Sequence, residues 1–555
     1  MWYYESHRFR ITGRKVLELD TIPDNKHLSN EEQQVEEHFI NTVQRDTSGR
    51  FIVSVPLKEP ISRLGNSKDI AMKQFYSLER KLAVNPQLKK LYSDFMKEYE
   101  ELNHMTWFTP SDTQITYYSP HHGVLKEESD TTKLRVVFNS STLSSSGHSY
   151  NSIQMVGPVV QDELYSIMLR FRQHNIVICG DICKMYRQVM VHKRFHLLQL
   201  IVWRNNPNEE LQTYALNRVV YGTASGPYLA TRCLVQLGIE NEKSNPEAAR
   251  VIKNDFFVDD LITGADSLNQ GIILCQQIDD ILKSGGFHLR KWKSNNLEVF
   301  TNIQHTQEFD EFYFGFSEAS KVLGLYWSAN KDVFSIKVVL PQVTKFTKRL
   351  ILSEIAKIFD LLGLISPLFI KAKILLQSLW YLNLSWDQEV PLDIRNKWIS
   401  IGTDLKELNS LQIPRHVVCM DRVHVEIHGF ADASQSAYGA CMYVRSTDSN
   451  NTIQTSLLTS KTRVAPLKTI SIPRLELCAA LLLAELFQKV VKSLTISIDD
   501  YYLWSDSTVT LAWIKTSPHM LQVFVGNRID QIQSLTNVDK WRYVPTATNA
   551  ADILT

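Results

Sequence analysis

Three acidic residues in the first half of the chain lie where short apolar segments end. Asp181 follows the apolar run NIVICG, and Asp259 and Asp260 lie between two short apolar runs in DFFVDDLITG. This pattern predicts a strand ending at Asp181 and a β-hairpin with the acidic pair at its turn. Carboxylates that share a sheet edge repel each other unless cations neutralise them. Such hard oxygen ligands suit Mg²⁺, and two ions can clamp the reacting oxygens in phosphoryl transfer. Aspartates are also common in ordinary turns, so each segment alone is a weak signal.

Four further acids recur near the end of the chain: Asp432, Glu476, Asp506 and Asp552. Asp432 and Asp506 end predicted strands, whereas Glu476 lies near the start of a predicted helix, in the apolar run LELCAALLLAEL. An acid that faces into such a run is unfavourable unless it has partners. A glutamate that stabilises the start of the helix through the helix dipole is the alternative.

The segments that carry these acids must form sheets covered by helices. Residues 175–335 alternate short β-rich runs with helical ones, which is typical of a mixed sheet with helices on it. From Val423 onward, three predicted strands precede an α/β alternation, which indicates a separate domain. Residues 350–385 are apolar at helical spacing, and Ser77 to Leu102 is amphipathic with a break near Pro86.

Composition excludes several classes of protein. The chain has 555 residues, of which 44% are hydrophobic and 21% charged, so wholesale disorder is ruled out. The net charge of +1 gives no global positive field, so any affinity for nucleic acid must come from local patches. The seven cysteines form no CxxC pair, which favours a reducing interior without a structural zinc site. No secretory signal or membrane-spanning run is predicted, so we expect an intracellular, cytoplasmic protein with no membrane partner.

An ordered set of motifs points to a family. The segments KLRVVF, GDICKMYRQV, VVYGTASGPYLAT, FFVDDLITG, GGFHLRKWKSN and VLGLYW follow one another in this order. The set resembles the reverse transcriptases of LTR retrotransposons and, more specifically, the Bel/Pao-type polyprotein, over about residues 15–555. The resemblance implies an α/β (α+β) fold: a right-hand polymerase of fingers, palm and thumb, a helical connection and an RNase H-like α/β domain. The implied regions are 1–105 (N-terminal helical or linker region), 106–335 (fingers and palm), 336–420 (thumb and connection) and 421–555 (RNase H-like domain, expected to be truncated at its C-terminus).

The resemblance also assigns roles to residues of the polymerase region. Asp181 and Asp259 match its main metal ligands, and Asp260 matches a weaker one. Tyr186 matches the bulky residue that crowds a ribose 2′-hydroxyl and so selects deoxynucleotides, with a core aromatic as the alternative. The residues implied to bind substrate are Lys133, Arg135, Tyr186, Tyr221, Gly222, Lys291 and Lys293. Which of the last two lysines lies near the leaving pyrophosphate stays open.

The order Asp432, Glu476, Asp506, Asp552 is similar to that of the ribonuclease H fold. There the carboxylates hold two Mg²⁺ ions that activate water against an RNA phosphodiester. The resemblance therefore implies DNA synthesis on an RNA or DNA template together with cleavage of the RNA strand of the hybrid. The implied partners are an RNA template, a DNA primer, an RNA–DNA hybrid and deoxynucleoside triphosphates. The implied cofactor is Mg²⁺, two ions at each site, with Mn²⁺ as a substitute. The implied location of the protein includes virus-like particles.

The sequence leaves two alternatives to an active polymerase. The chain could be an inactive or domesticated relic of a retroelement polyprotein that binds nucleic acid without catalysis. It could also be a peptidase, because DTSG from Asp46 is similar to the Asp-Thr/Ser-Gly turn of retroviral-type aspartic proteases. That run has one residue too many and no Gly-rich protease strands follow it, so we interpret the likeness as a coincidence. The sequence does not indicate an oligomeric state.

Overall fold

The structure, a computed structural model, describes residues 28–111, 113–125, 134–303, 312–314, 323–341, 343 and 345–555. Lys133, one of the residues expected to bind the triphosphate, lies outside the described residues. The α-helices, labelled α1 to α14 in chain order, are Asn30–Thr42, Lys68–Val84, Pro86–Glu101, Leu164–Gln173, Met185–Gln188, Gly226–Glu240, Pro246–Asn254, Leu268–Ser284, Lys348–Lys357, Ser366–Tyr381, Leu392–Glu407, Ile472–Ser493, Thr508–Ile514 and Val523–Leu535.

The strands, labelled β1 to β21 in chain order, are Gln44–Arg45, Phe51–Val53, Met105–Trp107, His121–Leu125, Leu134–Phe138, Ile176–Ile182, Met190–Val191, Leu200–Trp203, Gln212–Leu216, Phe256–Phe257, Asp260–Ala265, Leu289–Ser294, Phe312–Phe314, Leu323–Ser328, Val333–Val338, Gln412–Pro414, Arg422–Ala433, Ala437–Asp448, Ile453–Val464, Asp500–Ser505 and Trp541–Tyr543. Helices and strands alternate along the chain, so the fold is mixed α/β (α+β), as the sequence predicts. No helix in the described ranges has the length and apolar character needed to cross a membrane.

The predicted amphipathic segment from Ser77 to Leu102 forms the end of α2 and all of α3. Pro86 opens α3, directly after Asn85, whose side chain accepts a hydrogen bond from the Leu88 N–H. Because proline fixes φ and has no N–H, it suits the first turn of a helix and interrupts the helix before it. The break predicted near Pro86 therefore separates two helices.

A four-stranded sheet in the order β10-β11-β6-β12, here called the central sheet, carries the first acidic cluster. All its neighbouring strands are antiparallel. β6 is buried along nearly all of its length, because α4 and α8 pack against this sheet. A strand covered in this way needs an almost continuous apolar sequence, which the run IVIC supplies.

Several small sheets join segments on either side of the predicted boundaries. β2 pairs in parallel with β7, and β3 pairs with β9, so residues before and after position 105 share sheets. β15 crosses the boundary predicted at position 335 and pairs with both β14 and β16. The division into four regions stays a prediction, because the strands do not separate at these points.

The C-terminal sheet has the order β19-β18-β17-β20-β21. Its first three strands are antiparallel, and β20 and β21 add to it in parallel. Between β19 and β20 the chain forms α12, which packs on β17 and β18. This is the predicted arrangement of three strands followed by an α/β alternation.

Helix α4 joins the central sheet to the C-terminal sheet, and all ten of its residues are buried. The Arg170 Nε donates to Asp255 Oδ1 at 2.6 Å, within the central part of the molecule. The Arg172 Nη1 donates to the Leu458 carbonyl oxygen at 2.6 Å, on strand β19 of the C-terminal sheet. A buried guanidinium is stable only where charges or carbonyl oxygens satisfy it, so these contacts specify how the two sheets meet.

A second joint lies between α9 and α10, where the chain turns onto β19. The Ser460 N–H donates to the Leu362 carbonyl oxygen at 2.9 Å, and the Ser460 Oγ donates to the Gly363 carbonyl oxygen at 2.5 Å. Gly363 has φ +69°, and a Cβ at this position would lie 1.9 Å from the Ser460 carbonyl oxygen. Only glycine therefore permits this approach of the two segments.

We expect Gly363→Ala to lower the unfolding temperature much more than Gly147→Ala does. Both glycines have positive φ, but a Cβ on Gly147 would have no heavy atom within 4 Å. Left-handed backbone strain of about 1–2 kcal/mol is common to both variants, so the difference isolates the steric clash with Ser460. Thermal unfolding followed by circular dichroism measures it, and equal shifts for the two variants would show that this joint is not tightly packed.

Candidate functional site

The first acidic cluster forms where β6 and β11 pair in the central sheet. Asp260 lies opposite Asp181 in the strand register, and the Ile182 N–H donates to the Asp259 carbonyl oxygen at 2.8 Å. One carboxylate oxygen from each of the three aspartates lies within 4.8 Å of the others. Main-chain pairing thus brings together acids from two distant segments. Their catalytic roles stay predictions.

The hairpin turn that carries Asp259 contains a strained residue, Val258, with φ +58°. This backbone conformation is unfavourable for a β-branched side chain. The Gln161 side chain binds both main-chain groups of Val258: its Oε1 accepts from the N–H at 2.8 Å, and its Nε2 donates to the carbonyl oxygen at 3.1 Å. Gln161 therefore stabilises the turn, a role that no local pattern indicated because 97 residues separate the two positions.

Burial and mutual repulsion raise the pKa values of the paired aspartates. Burial, followed by the charge of Asp181, raises the pKa of Asp259 to about 6. Burial and the charges of Asp259 and Asp181 raise the pKa of Asp260 well above its ordinary value. The Arg290 Nε donates to Asp181 Oδ2 at 2.9 Å and offsets part of this repulsion. Sequence reasoning missed Arg290, which lies directly before the two lysines that it singled out.

Two of the residues expected to bind substrate form a stack beside this cluster. The rings of Tyr186 and Tyr221 have centroids 4.4 Å apart and an interplanar angle of 29°. The Arg135 guanidinium carbon lies 5.6 Å from the centroid of the Tyr221 ring. Burial raises the pKa of both tyrosines, and the negative charge of Asp259 adds to the rise in each. The stack therefore lies close enough to the acids for their charge to act on it.

The two expected lysines lie on β12, next to β6. The register of β12 is irregular between Arg290 and Lys293, and Lys291 within this irregularity has φ +52°. Burial and the neighbouring aspartates raise the pKa of Asp260, and the charge of Lys291 opposes that rise. Lys293 instead pairs with Cys179, two residues before Asp181 on β6.

The second acidic cluster lies at one edge of the C-terminal sheet. Asp432 lies near the end of β17, Asp506 directly follows β20, and Glu476 lies in the second turn of α12. Because β17 and β20 are parallel, their carboxyl ends meet at the same edge, against which α12 packs. One carboxylate oxygen from each of these three residues lies within 4.8 Å of the others.

Glu476 is the most strongly perturbed acid of this cluster. Burial, followed by the charges of Asp432 and Asp506, raises the pKa of Glu476 to about 8. Its Oε2 is buried and accepts no hydrogen bond from any residue that the structure describes. A buried acceptor without a partner is unfavourable, and a bound cation would satisfy it. Glu476 thus lies buried on α12, and the protein leaves one of its carboxylate oxygens without a hydrogen bond from the described residues.

Asp552 is not one of the three residues that meet. It is exposed at the start of the last turn, Asp552–Leu554, and its charge adds to the rise in the pKa of Asp432 that burial mainly causes. Two neutral residues contact Asp432 directly: Thr555 Oγ1 donates to Oδ2 at 2.7 Å, and Asn549 Nδ2 lies 3.4 Å from Oδ1. The sequence did not indicate the contact of Thr555.

The donor atoms of both clusters suit a divalent cation. Every ligand is a carboxylate oxygen, which hard cations prefer over softer metals. Within the described ranges, these are the two groups in which three or more histidine, cysteine, aspartate or glutamate side chains approach within 4.8 Å. Asp181, Asp259 and Asp260 could hold a metal at the first cluster, and Asp432, Glu476 and Asp506 could hold one at the second.

We expect the ionisation of Glu476 to lower the unfolding temperature, measured without divalent cations, by about 2 °C between pH 5 and pH 8, relative to the variant Glu476→Gln. A folded-state pKa of about 8 for Glu476 means that the folded protein keeps a proton that the unfolded chain has released above pH 4.5. The contribution of Glu476 to stability therefore falls as pH rises through this window. Mg²⁺ should stabilise the protein more at pH 8 than at pH 5, because it needs the ionised carboxylates.

The variant Glu476→Gln should reduce both the fall with pH and the effect of Mg²⁺, whereas Glu407→Gln, on the exposed end of α11, should change neither. Differential scanning fluorimetry over this pH range makes the comparison. A pH response that is the same in wild type and Glu476→Gln would contradict the strained state assigned to Glu476.

Comparisons with known proteins agree with this geometry. Residues 347–507 match the family described as Pao retrotransposon-like RNaseH-like domain. This match contains Asp432, Glu476 and Asp506, and it begins in the region predicted to be thumb and connection. No curated protein matches the chain.

Two solved structures share the fold. One is the foamy viral protease-reverse transcriptase in complex with an RNA/DNA hybrid, with a TM-score of 0.51 and 12% identity over 84% of this chain and 54% of that one. The other is the foamy viral protease-reverse transcriptase dRH in complex with double-stranded DNA, with a TM-score of 0.51 and 12% identity over 96% of this chain and 81% of that one. The chain thus spans about half the length of the first of these proteins. The family match and the shared fold together confirm the predicted resemblance to a Bel/Pao-type retroelement polyprotein with reverse transcriptase and RNase H-like regions.

Proposed function

We propose that the chain is an RNA-directed DNA polymerase that adds deoxynucleotides to the 3′-hydroxyl of a primer on an RNA or DNA template. The observation that carries this proposal is the convergence of Asp181, Asp259 and Asp260 within 4.8 Å at one edge of the central sheet, in a reverse transcriptase fold. Both foamy viral relatives are complexes with nucleic acid, which supports a nucleic-acid partner for this chain.

In this proposal, Asp181 and Asp259 hold Mg²⁺, with Asp260 as a weaker ligand. Bound there, Mg²⁺ supplies charge neutralisation for the attacking hydroxyl and the triphosphate oxygens. The protein positions the reactants: Arg135 and a lysine of β12 bind phosphate oxygens, and Tyr186 crowds the sugar. Gln161 holds the turn of Val258, which directly precedes Asp259. Arg290 pairs with Asp181.

We propose RNA strand cleavage in an RNA–DNA hybrid as the second activity. Asp432, Glu476 and Asp506 would hold the divalent cations, and Asp552 would contribute its charge from the last turn. The unsatisfied Glu476 Oε2 and the all-carboxylate donor set support this assignment. Base pairing supplies sequence specificity, so the protein is expected to hold the duplex through backbone phosphates.

Asp259→Asn is expected to lower Mg²⁺-dependent incorporation of deoxynucleotides by at least about 100-fold, because it removes a metal ligand without changing the side-chain volume. Asp280→Asn, an exposed acid on α8, is the matched control and should retain wild-type activity. Primer extension on an RNA template with the purified chain measures both. Equal extension by wild type and Asp259→Asn would reject the polymerase assignment.

Asp506→Asn is expected to lower cleavage of the RNA strand in a labelled RNA–DNA hybrid by at least about 100-fold while leaving primer extension intact. Asp530→Asn, exposed on α14, serves as its control. Because the two clusters use different residues, Asp259→Asn should show the opposite pattern. Hybrid cleavage that survives Asp506→Asn would mean that the second cluster is not the nuclease site.

A further inference from the structure

We propose that Tyr221 is the positioning residue of the sugar gate: its ring stacks on Tyr186 and holds that ring where it excludes a ribose 2′-hydroxyl. This inference rests on the proposed polymerase function and adds to it a second residue that determines nucleotide specificity. The two rings are parallel to within 29° at a centroid distance of 4.4 Å, and Tyr186 is only 6% exposed. An offset stack of this kind is a favourable aromatic contact with a defined geometry.

Tyr186 lies on an element that is too short to fix its ring alone. Helix α5 has four residues and begins after Lys184, which has φ +50°. Short helices gain little stability from their own hydrogen bonds, so tertiary contacts must define the position of their side chains. The ring of Tyr221 supplies such a contact directly beside the acidic cluster.

The turn that carries Tyr221 is, by contrast, firmly anchored. Gly222 has φ +110°, and a Cβ there would lie 2.0 Å from the Phe138 carbonyl oxygen, so the turn lies directly against the end of β5. The Asn151 Nδ2 donates to the Gly222 carbonyl oxygen at 2.8 Å, and its Oδ1 accepts from the Ala224 N–H at 2.9 Å. Tyr221 therefore has a fixed backbone from which its ring can support Tyr186.

The same turn connects the gate to the residue expected to bind the triphosphate. Arg135 lies on β5, and its guanidinium carbon is 5.6 Å from the centroid of the Tyr221 ring. A cation at this distance from a tyrosine ring makes a cation–π contact. The side chain of Tyr221 thus lies between Arg135 and Tyr186 and contacts both. A shift of the Tyr186 ring toward Tyr221 must therefore displace a side chain that Arg135 also contacts.

A bound ribonucleotide would press on the Tyr186 ring, whereas a deoxynucleotide would not. Its extra hydroxyl must push the Tyr186 ring away, and in a close-packed site that ring can move only where its neighbour yields. Removing the Tyr221 ring opens that space. The proposal therefore predicts weaker exclusion of ribonucleotides, measured as a fall in the preference for dNTP over rNTP and not as the binding of either nucleotide alone.

The experiment measures binding without chemistry. The full chain is assembled on a template with a dideoxy-terminated primer, and the Kd values for the next complementary dNTP and for the matching rNTP are determined in Mg²⁺. For Tyr221→Leu we expect the preference for dNTP over rNTP to fall by about three- to tenfold, beyond any loss of binding that the two nucleotides share. Tyr221→Phe, which keeps the ring, should stay within about twofold of wild type.

A double variant shows whether Tyr221 acts through Tyr186. Tyr186→Ala should abolish the preference, and adding Tyr221→Leu to it should have no further effect, since residues that act through one contact are not additive. Tyr501→Leu is the matched control, because Tyr501 stacks on Phe487 at 4.2 Å in the C-terminal domain, and it should leave both Kd values unchanged.

Three outcomes would overturn the proposal in distinguishable ways. Equal weakening of dNTP and rNTP binding by Tyr221→Leu would mean that Tyr221 contacts the nucleotide directly. An unchanged preference in Tyr221→Leu would mean that Tyr186 needs no support. If wild type forms no template-dependent complex with either nucleotide, the proposed polymerase function fails, and the gate fails with it.

Discussion

Electrostatic repulsion among carboxylates is the constraint on which the rest of this structure depends. Main-chain pairing of β6 with β11 places Asp181, Asp259 and Asp260 together although their charges oppose it, and burial raises the pKa of Asp259 to about 6. Such an arrangement persists only where the surrounding fold is stable enough to impose it. The buried central sheet supplies that stability, and Gln161 and Arg290 relieve the strain and the repulsion locally.

In the second cluster, too, the fold brings carboxylates together against their mutual repulsion, but it does so with different helices and strands. Two parallel strands and a buried helix bring three acids together, and the Glu476 Oε2 has no hydrogen-bond partner among the described residues. The two clusters belong to one body, because the fully buried α4 contacts the central sheet and also donates to β19 through Arg172.

Much of this could be predicted from the sequence, because the signals are local. Apolar runs on both sides of the acidic pair predict a hairpin, and the helix around Glu476 is apolar enough to make an inward-facing acid informative. Gln161, Arg290 and Thr555 could not be found in this way. Each is an ordinary polar residue in its own segment, and its contact depends on how distant elements pack. Pairing across the predicted boundaries near 105 and 335 is also non-local, so composition along the chain does not reveal it.

Both carboxylate clusters are expected to hold a divalent cation once the chain has folded. Anomalous diffraction from crystals of the chain soaked in Mn²⁺, which accepts the same oxygen ligands as Mg²⁺, tests this most directly. We expect an anomalous peak between Asp181 and Asp259 and another among Asp432, Glu476 and Asp506. Well-ordered crystals with these side chains visible but no peak at either position would contradict it.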